Sequence, residues 1–202
     1  MNMALVKRQD FVEIEYTGII KENGTIFDTT KDSPAVICIG SNHVLNGLEE
    51  QLIGKETGKE YKIELSPENA FGRRNAKLIQ LIPLNKFRQQ NIEPMPGLQL
   101  NIDGLFGVIK TVSGGRCLVD FNHPLAGRDV IYHIKINRIV NEDKEKLNSI
   151  LKMQFHIKDA EIEIKEGGAY VKSKHNIPEQ AQEEFRNIVH ATIPSIKKIE
   201  FT

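Results

Sequence analysis

Residues 11–16 alternate, with Val12, Ile14 and Tyr16 on one side and Glu13 and Glu15 on the other, the period-two signature of a half-buried strand. Glu22-Asn-Gly-Thr25 follows, with Asn-Gly at its centre, and predicts a hairpin into a second strand over 25–28. Asp32-Ser-Pro34 breaks that strand, and the apolar run 35–39 predicts a buried third. Asn42 is placed to cap a short helix whose apolar positions are Val44, Leu45, Leu48 and Leu52, a spacing of three and four. Gly54 and Gly58 flank its exit, and alternation over 59–65 predicts a further strand ending at Ser66-Pro67.

The pattern then changes character. Residues 98–101, 106–112 and 116–121 are three β candidates, separated by turns at Asp103-Gly104 and Ser113-Gly-Gly115. Residues 130–140 read as a strand with Val130, Tyr132, Ile134 and Ile136 on one face, and 141–145 open a helix carrying Leu147, Ile150 and Leu151. Two short strands then bracket Glu166-Gly-Gly168. Pro178 suits the first turn of a helix that presents Ala181, Phe185, Ile188 and Val189, and 196–201 read as a last strand. The expectation is an α+β chain: an antiparallel sheet wrapped on a short helix, a small β-rich insertion, and a C-terminal ββαβ module.

Composition narrows the chemistry. In 202 residues, 27 Lys and Arg balance 27 Asp and Glu, so no basic excess favours nucleic acid. No apolar run is long enough to span a membrane, and the first ten residues lack a signal-peptide core; the expected location is the cytoplasm. Cys38 and Cys117 each sit in an apolar alternating run, which favours buried free thiols over a disulfide. The six histidines show no zinc spacing, and neither a phosphate loop nor a serine nucleophile motif is present. No metal and no cofactor are expected.

Five segments stand in order: Tyr16-Thr-Gly18, Gly24-Thr-Ile-Phe-Asp28, Gly40-Ser-Asn-His-Val-Leu-Asn-Gly-Leu-Glu-Glu50, Pro67-Glu-Asn-Ala-Phe-Gly72 and Asn122-His-Pro-Leu-Ala-Gly127. Together they resemble the FKBP-type peptidyl-prolyl cis/trans isomerases, and more narrowly the SlyD-like branch with an insert-in-flap domain. The last 50 to 60 residues are similar to the extra module of long archaeal members. The resemblance implies an isomerase domain over 1–74 and 121–141, an insert-in-flap chaperone domain over 75–120, and a C-terminal module over 142–202. It also implies a proline pocket of Tyr16, Phe27, Asp28, Leu45, Phe71 and Tyr132, bordered by Ala35, Val44, Leu48 and Ala70. This chain departs from the family's pattern at three positions: Leu48 replaces a tryptophan floor, Ala35 an aromatic wall and Phe71 a tyrosine.

The implied reaction suits such residues. A prolyl amide rotates over a barrier of roughly 18–20 kcal/mol because resonance keeps it planar, and free exchange takes tens to hundreds of seconds. Reaching about ten turnovers per second removes only about 3–4 kcal/mol. Twisting lessens the charge separation of the amide, so an apolar, water-poor pocket favours the twisted state without nucleophile or metal. Each segment alone also reads as ordinary core or loop; the ordered set points to the pocket.

The insertion crowds Leu78, Ile79, Leu81, Ile82, Leu84 and Phe87 together, with Ile92, Met95 and Leu98 close behind. So small a domain buries such a set poorly, which leaves two readings. One is an exposed groove for unfolded chains, in which Leu78, Ile82, Phe87, Met95 and Leu98 touch the client. The other is a small packed core. The expected partners are unfolded polypeptides with X-Pro bonds. The alternative function is a holdase with a weak pocket. The C-terminal module reads equally as a self-association surface giving a homodimer and as a module folded onto its own chain.

Overall fold

The computed structural model describes residues 4–30, 33–102, 104–165, 167–174 and 176–201. Asp32, Asp103, Glu166 and His175 lie outside them, and with them parts of three expected turns. In chain order the elements are β1 (Phe11–Ile20), β2 (Ile26–Thr29), β3 (Ala35–Cys38), α1 (Asn46–Leu52), β4 (Glu60–Leu65), β5 (Ile79–Pro83), α2 (Leu84–Gln89), β6 (Gln99–Ile102), β7 (Leu105–Ser113), β8 (Arg116–Asp120), β9 (Val130–Ile139), α3 (Asp143–Gln154), β10 (Glu161–Lys165), β11 (Gly168–Lys172), α4 (Glu179–Thr192) and β12 (Lys198–Phe201). The chain forms two units, residues 1–70 with 129–202, and residues 71–128.

In the first unit an antiparallel sheet runs β2-β1-β9-β4, and β3 also pairs with β1. Its inward face follows the alternation in the sequence: Val12, Ile14, Ile63, Val130, Ile134 and Ile136 are all at most 2% exposed. Helix α1 lies against β4 and buries Leu48 and Leu52 completely. It starts at Asn46 with Leu45 at the N-cap, not at Asn42. Asn42 instead takes a positive φ of 57°, a left-handed turn that asparagine tolerates. Glu49, a buried carboxylate, instead holds the loop before the helix by accepting the N–H groups of Gly40 (2.8 Å), His43 (2.9 Å) and Val44 (3.4 Å).

The C-terminal ββαβ order is as expected, with β12 joining β11 in parallel to give β10-β11-β12. The chain covers that sheet with its own helices: Leu147, Ile150 and Leu151 of α3 and Phe185 and Val189 of α4 share one core with Ile162, Val171 and Ile199. That core continues into Phe11, Cys38 and Val140. The module is therefore folded onto its own chain.

The second unit is a four-stranded antiparallel sheet, β5-β8-β7-β6. Phe87, Ile109, Cys117 and Val119 form its small core, with Ile82, Leu84, Leu98, Leu100 and Phe121 packed around them. Both cysteines are free and buried. Among the described residues no helix is long and apolar enough to cross a membrane.

Candidate active site

Tyr16 lies on β1, on the face shared by Val12 and Ile14, and its hydroxyl donates to Asp28 Oδ2 at 2.7 Å. Asp28 comes from β2, where Gly18 pairs with Asp28 and Ile19 with Ile26. Phe27 is thus the extra residue of a bulge. In a regular strand Phe27 and Asp28 would point to opposite faces; a bulge re-aims one of them. Here both serve one face: the Phe27 ring meets Tyr132 edge-on, with centroids 5.8 Å apart. Tyr132 also meets Tyr16 edge-on at 5.7 Å and is itself buried, 4% exposed. Three aromatic rings and one carboxylate therefore converge from β1, β2 and β9.

Gly18 makes that convergence sterically feasible. A Cβ there would lie 2.6 Å from Phe27 Cζ and 3.1 Å from Tyr132 Cε1, inside ordinary carbon contact. Burial, helped by the hydrogen bond to Asp28 and its charge, holds the Tyr16 hydroxyl well above the usual tyrosine range. Burial first and the Asp28 charge second push Tyr132 up to about 12. Both phenols stay neutral near pH 7, and the Asp28 side chain lies at the exposed rim.

The segment after β3 carries two further residues of the expected pocket, Val44 and Leu45. Val44 and Leu45 are half-buried, and the Leu45 carbonyl starts α1 by accepting the N–H groups of Leu48 (2.8 Å) and Glu49 (3.0 Å). The first N–H groups of a helix have no intrahelical acceptor. Leu48 is fully buried and Ala35 is 9% exposed. Ala70 is half-buried after the short turn Pro67–Asn69. A Cβ at Gly47 would fall 2.3 Å from the carbonyl oxygen of Asn69, so the absence of a side chain at Gly47 lets that turn close onto α1.

Phe71 belongs to the second unit, where its ring stacks on His123, centroids 4.7 Å apart and 3° from parallel. Nothing local in the chain signals that pair. Three residues expected to touch a client are taken up by the small core of this unit. Phe87 is 3% exposed and anchors the small core, and Ile82 and Leu98 pack against that core. Ile82 from β5 and Leu84 and Phe87 from α2 give even a small sheet something to bury. Leu78 is half-buried, and Met95 is 56% exposed. Three further apolar side chains of this unit are exposed: Leu81 at 60%, Leu105 at 54% and Phe106 at 78%.

A separate groove of about 430 Å³ runs across the outer face of β1, β9 and β4, with Glu15, Thr17, Glu60, Lys62, His133 and Lys135 in its lining. Its walls are charged and mixed in sign. Among the described residues no group of three His, Cys, Asp or Glu side chains is arranged to hold a metal ion.

Comparison with known proteins points to one family. Residues 4–93 match the family model of the FKBP-type peptidyl-prolyl cis-trans isomerases. A Pseudomonas fluorescens protein, the probable FKBP-type 16 kDa peptidyl-prolyl cis-trans isomerase, is 36% identical over 121 residues, covering 57% of this chain and 79% of that one. The chain belongs to the FKBP-type peptidyl-prolyl cis-trans isomerases. Within that family, the short-type isomerase of Methanocaldococcus jannaschii is 29% identical over 156 residues, 70% of this chain and 98% of its own. The SlyD isomerase of Vibrio cholerae is 27% identical over 136 residues, 65% of this chain and 67% of its own. Residues 80–125 match a separate model, described as the IF domain of FKBP26. The mixed fold with antiparallel sheets is the one expected of this isomerase family.

Proposed function

We propose that this isomerase turns prolyl bonds in unfolded polypeptide against the rings of Tyr16, Phe27 and Tyr132, and that residues 71–128 hold the client chain meanwhile. The observation that carries the first half is the convergence of those rings on the Tyr16–Asp28 hydrogen bond of 2.7 Å. The rings offer a low-polarity surface to the twisted amide, in which charge separation is smallest. Leu45, at the N-cap of α1, brings an N–H that finds no acceptor among the described residues, and it can take a substrate carbonyl. Asp28 fixes the Tyr16 ring, so little reorganisation accompanies the reaction.

The second half rests on the exposed Leu81, Met95, Leu105 and Phe106. Apolar side chains this open, beside strand edges at β5 and β6, suit an extended, apolar client segment. Covalent attachment keeps such a segment at high effective concentration near the isomerase.

Two assays test both halves. Turnover of a short prolyl peptide reads the pocket alone, and proline-limited refolding of a protein reads pocket and capture together. Tyr16→Ala with Asp28→Ala is expected to lose most of both activities. Met95→Ser with Phe106→Ser, both at exposed positions, is expected to keep peptide turnover and lose most of the protein refolding gain. Full refolding activity in the second variant would remove the capture role. Full peptide turnover in the first would remove the pocket. Protection from aggregation only at stoichiometric amounts, with no rate effect, would mark a holdase.

A further inference from the structure

The loop over 40–45, which delivers Val44 and Leu45, is held by two groups, one buried and one half-buried. Glu49 is one. His43 is the other, and its bonding constrains its protons. Nδ1 accepts the N–H of Cys38 at 3.0 Å, so Nδ1 is unprotonated and the neutral ring carries its hydrogen on Nε2. Nε2 faces the side-chain amide of Gln154, the last residue of α3. The amide nitrogen is placed 3.0 Å from Nε2, while the amide oxygen is buried with no partner among the described residues. An N–H donor cannot bond the protonated Nε2. Turning the amide half a revolution exchanges two atoms of nearly equal size. It sets the oxygen against Nε2–H and gives that oxygen the partner it otherwise lacks. Only this arrangement among neutral His43 tautomers avoids opposing two donors at one end of the ring.

We infer that His43 is a positioning residue for the isomerase site, and that α3, through the Gln154 amide oxygen, fixes it as the Nε2–H tautomer so that the C-terminal module holds the Val44–Leu45 edge in place. This rests on the reading that Val44 and Leu45 border the prolyl substrate. It gives residues 142–202 a part in the reaction without contact with substrate: α3 lies against β3 and ends on the ring that braces the loop after β3.

The arrangement is sensitive to acid. A proton on Nδ1 would point at the Cys38 N–H, and the loop would lose an anchor. The groups facing the ring are Glu49 from α1, Cys38 from β3 and Gln154 from α3, with Asp10 and Lys146 acting on Cys38 from further out. Burial lowers the proton affinity of His43, and Glu49 opposes that in part. The folded chain thus binds this proton less readily than the unfolded chain. The support is complete above the ordinary value of 6.5 and is lost as pH falls through the lower folded value.

The test is kcat/KM for a short prolyl peptide from pH 5 to pH 8, using the full chain. His43→Asn places an amide oxygen where Nδ1 sits and takes no proton. It is expected to keep neutral-pH activity and to flatten the acid limb. Gln154→Glu sets a carboxylate against Nε2–H, favours the imidazolium, and is expected to move the acid limb up by about one pH unit. Coincident profiles for wild type and both variants would overturn the inference. Tyr16→Ala with Asp28→Ala in the same assay separates the two levels. Lost activity there with coincident profiles sinks the role of His43 alone, whereas retained activity sinks the pocket itself. Should His43→Asn fail to fold, the ring-nitrogen NMR shifts of the wild type decide. An unprotonated Nδ1 supports the inference and an unprotonated Nε2 overturns it.

Discussion

Gly18 shows how much at this site turns on a single atom. The Phe27 and Tyr132 rings occupy the space its Cβ would need. In Gly18→Ala the Phe27 ring must tilt away, while the strand gains a residue better suited to it than glycine. Peptide kcat/KM should fall about tenfold, roughly 1.4 kcal/mol, with only a small change in melting temperature. Equal activity would mean that the Phe27 ring does not meet substrate. The sequence exposed Tyr16, Phe27, Asp28 and Tyr132 through their motifs. It did not expose why consecutive Phe27 and Asp28 reach one face, because a bulge depends on how β2 registers against β1 and leaves no local mark. His43 and Glu49 were equally silent. Their role comes from backbone N–H groups that loop closure brings to them.

Among the elements, the segments that join β5 and β8 to the rest of the second unit are braced together. Asp120, 5% exposed, accepts the N–H of Asn122 at 3.0 Å and its side-chain amide at 2.8 Å, and it pairs with Arg74. Asn122 in turn accepts the Asn75 N–H at 2.8 Å and donates to the Asn75 carbonyl at 3.1 Å. Burial raises the Asp120 carboxyl, but the Asn122 hydrogen bonds and the Arg74 charge outweigh it and hold it below its ordinary 3.8. Its contribution is present above that value and lost as pH falls through the lower folded one. Asp120→Ala should destabilise the second unit by about 1–3 kcal/mol. Amide hydrogen exchange would then speed up in β5 and β8 and stay unchanged in β1 and β9. Uniform exchange throughout the chain would contradict a local brace. Strands β7 and β8 were readable from alternation and their Gly-Gly turn. Strand β5 and helix α2 were not. Ile79-Gln-Leu-Ile-Pro83 lacks a clean period and ends in proline, and it becomes a strand by pairing with β8 at the sheet's edge.

In the whole molecule, the C-terminal module and the isomerase sheet stand or fall together, because Leu147, Ile150 and Phe185 share a core with Phe11, Cys38 and Val140. Sequence periodicity identified α3, α4 and the order of strands around them. It could not show which outside residues they cover, since Phe11 and Cys38 are far off in the chain. Leu147→Ala should cost about 2–5 kcal/mol and lower the unfolding midpoint of β1 and β9 along with that of α4. Separate transitions for the two regions would show that the shared core carries no cooperativity. The claim on which everything else depends is that a substrate proline lies against Tyr16, Phe27 and Tyr132. The most direct test is an NMR titration of the labelled chain with a short X-Pro peptide, reading intermolecular NOEs from the proline ring. The account predicts NOEs to the side chains of Phe27 and Tyr132 and to the Leu45 amide. Proline NOEs confined to the outer groove of Glu15, Lys62 and His133 would contradict it.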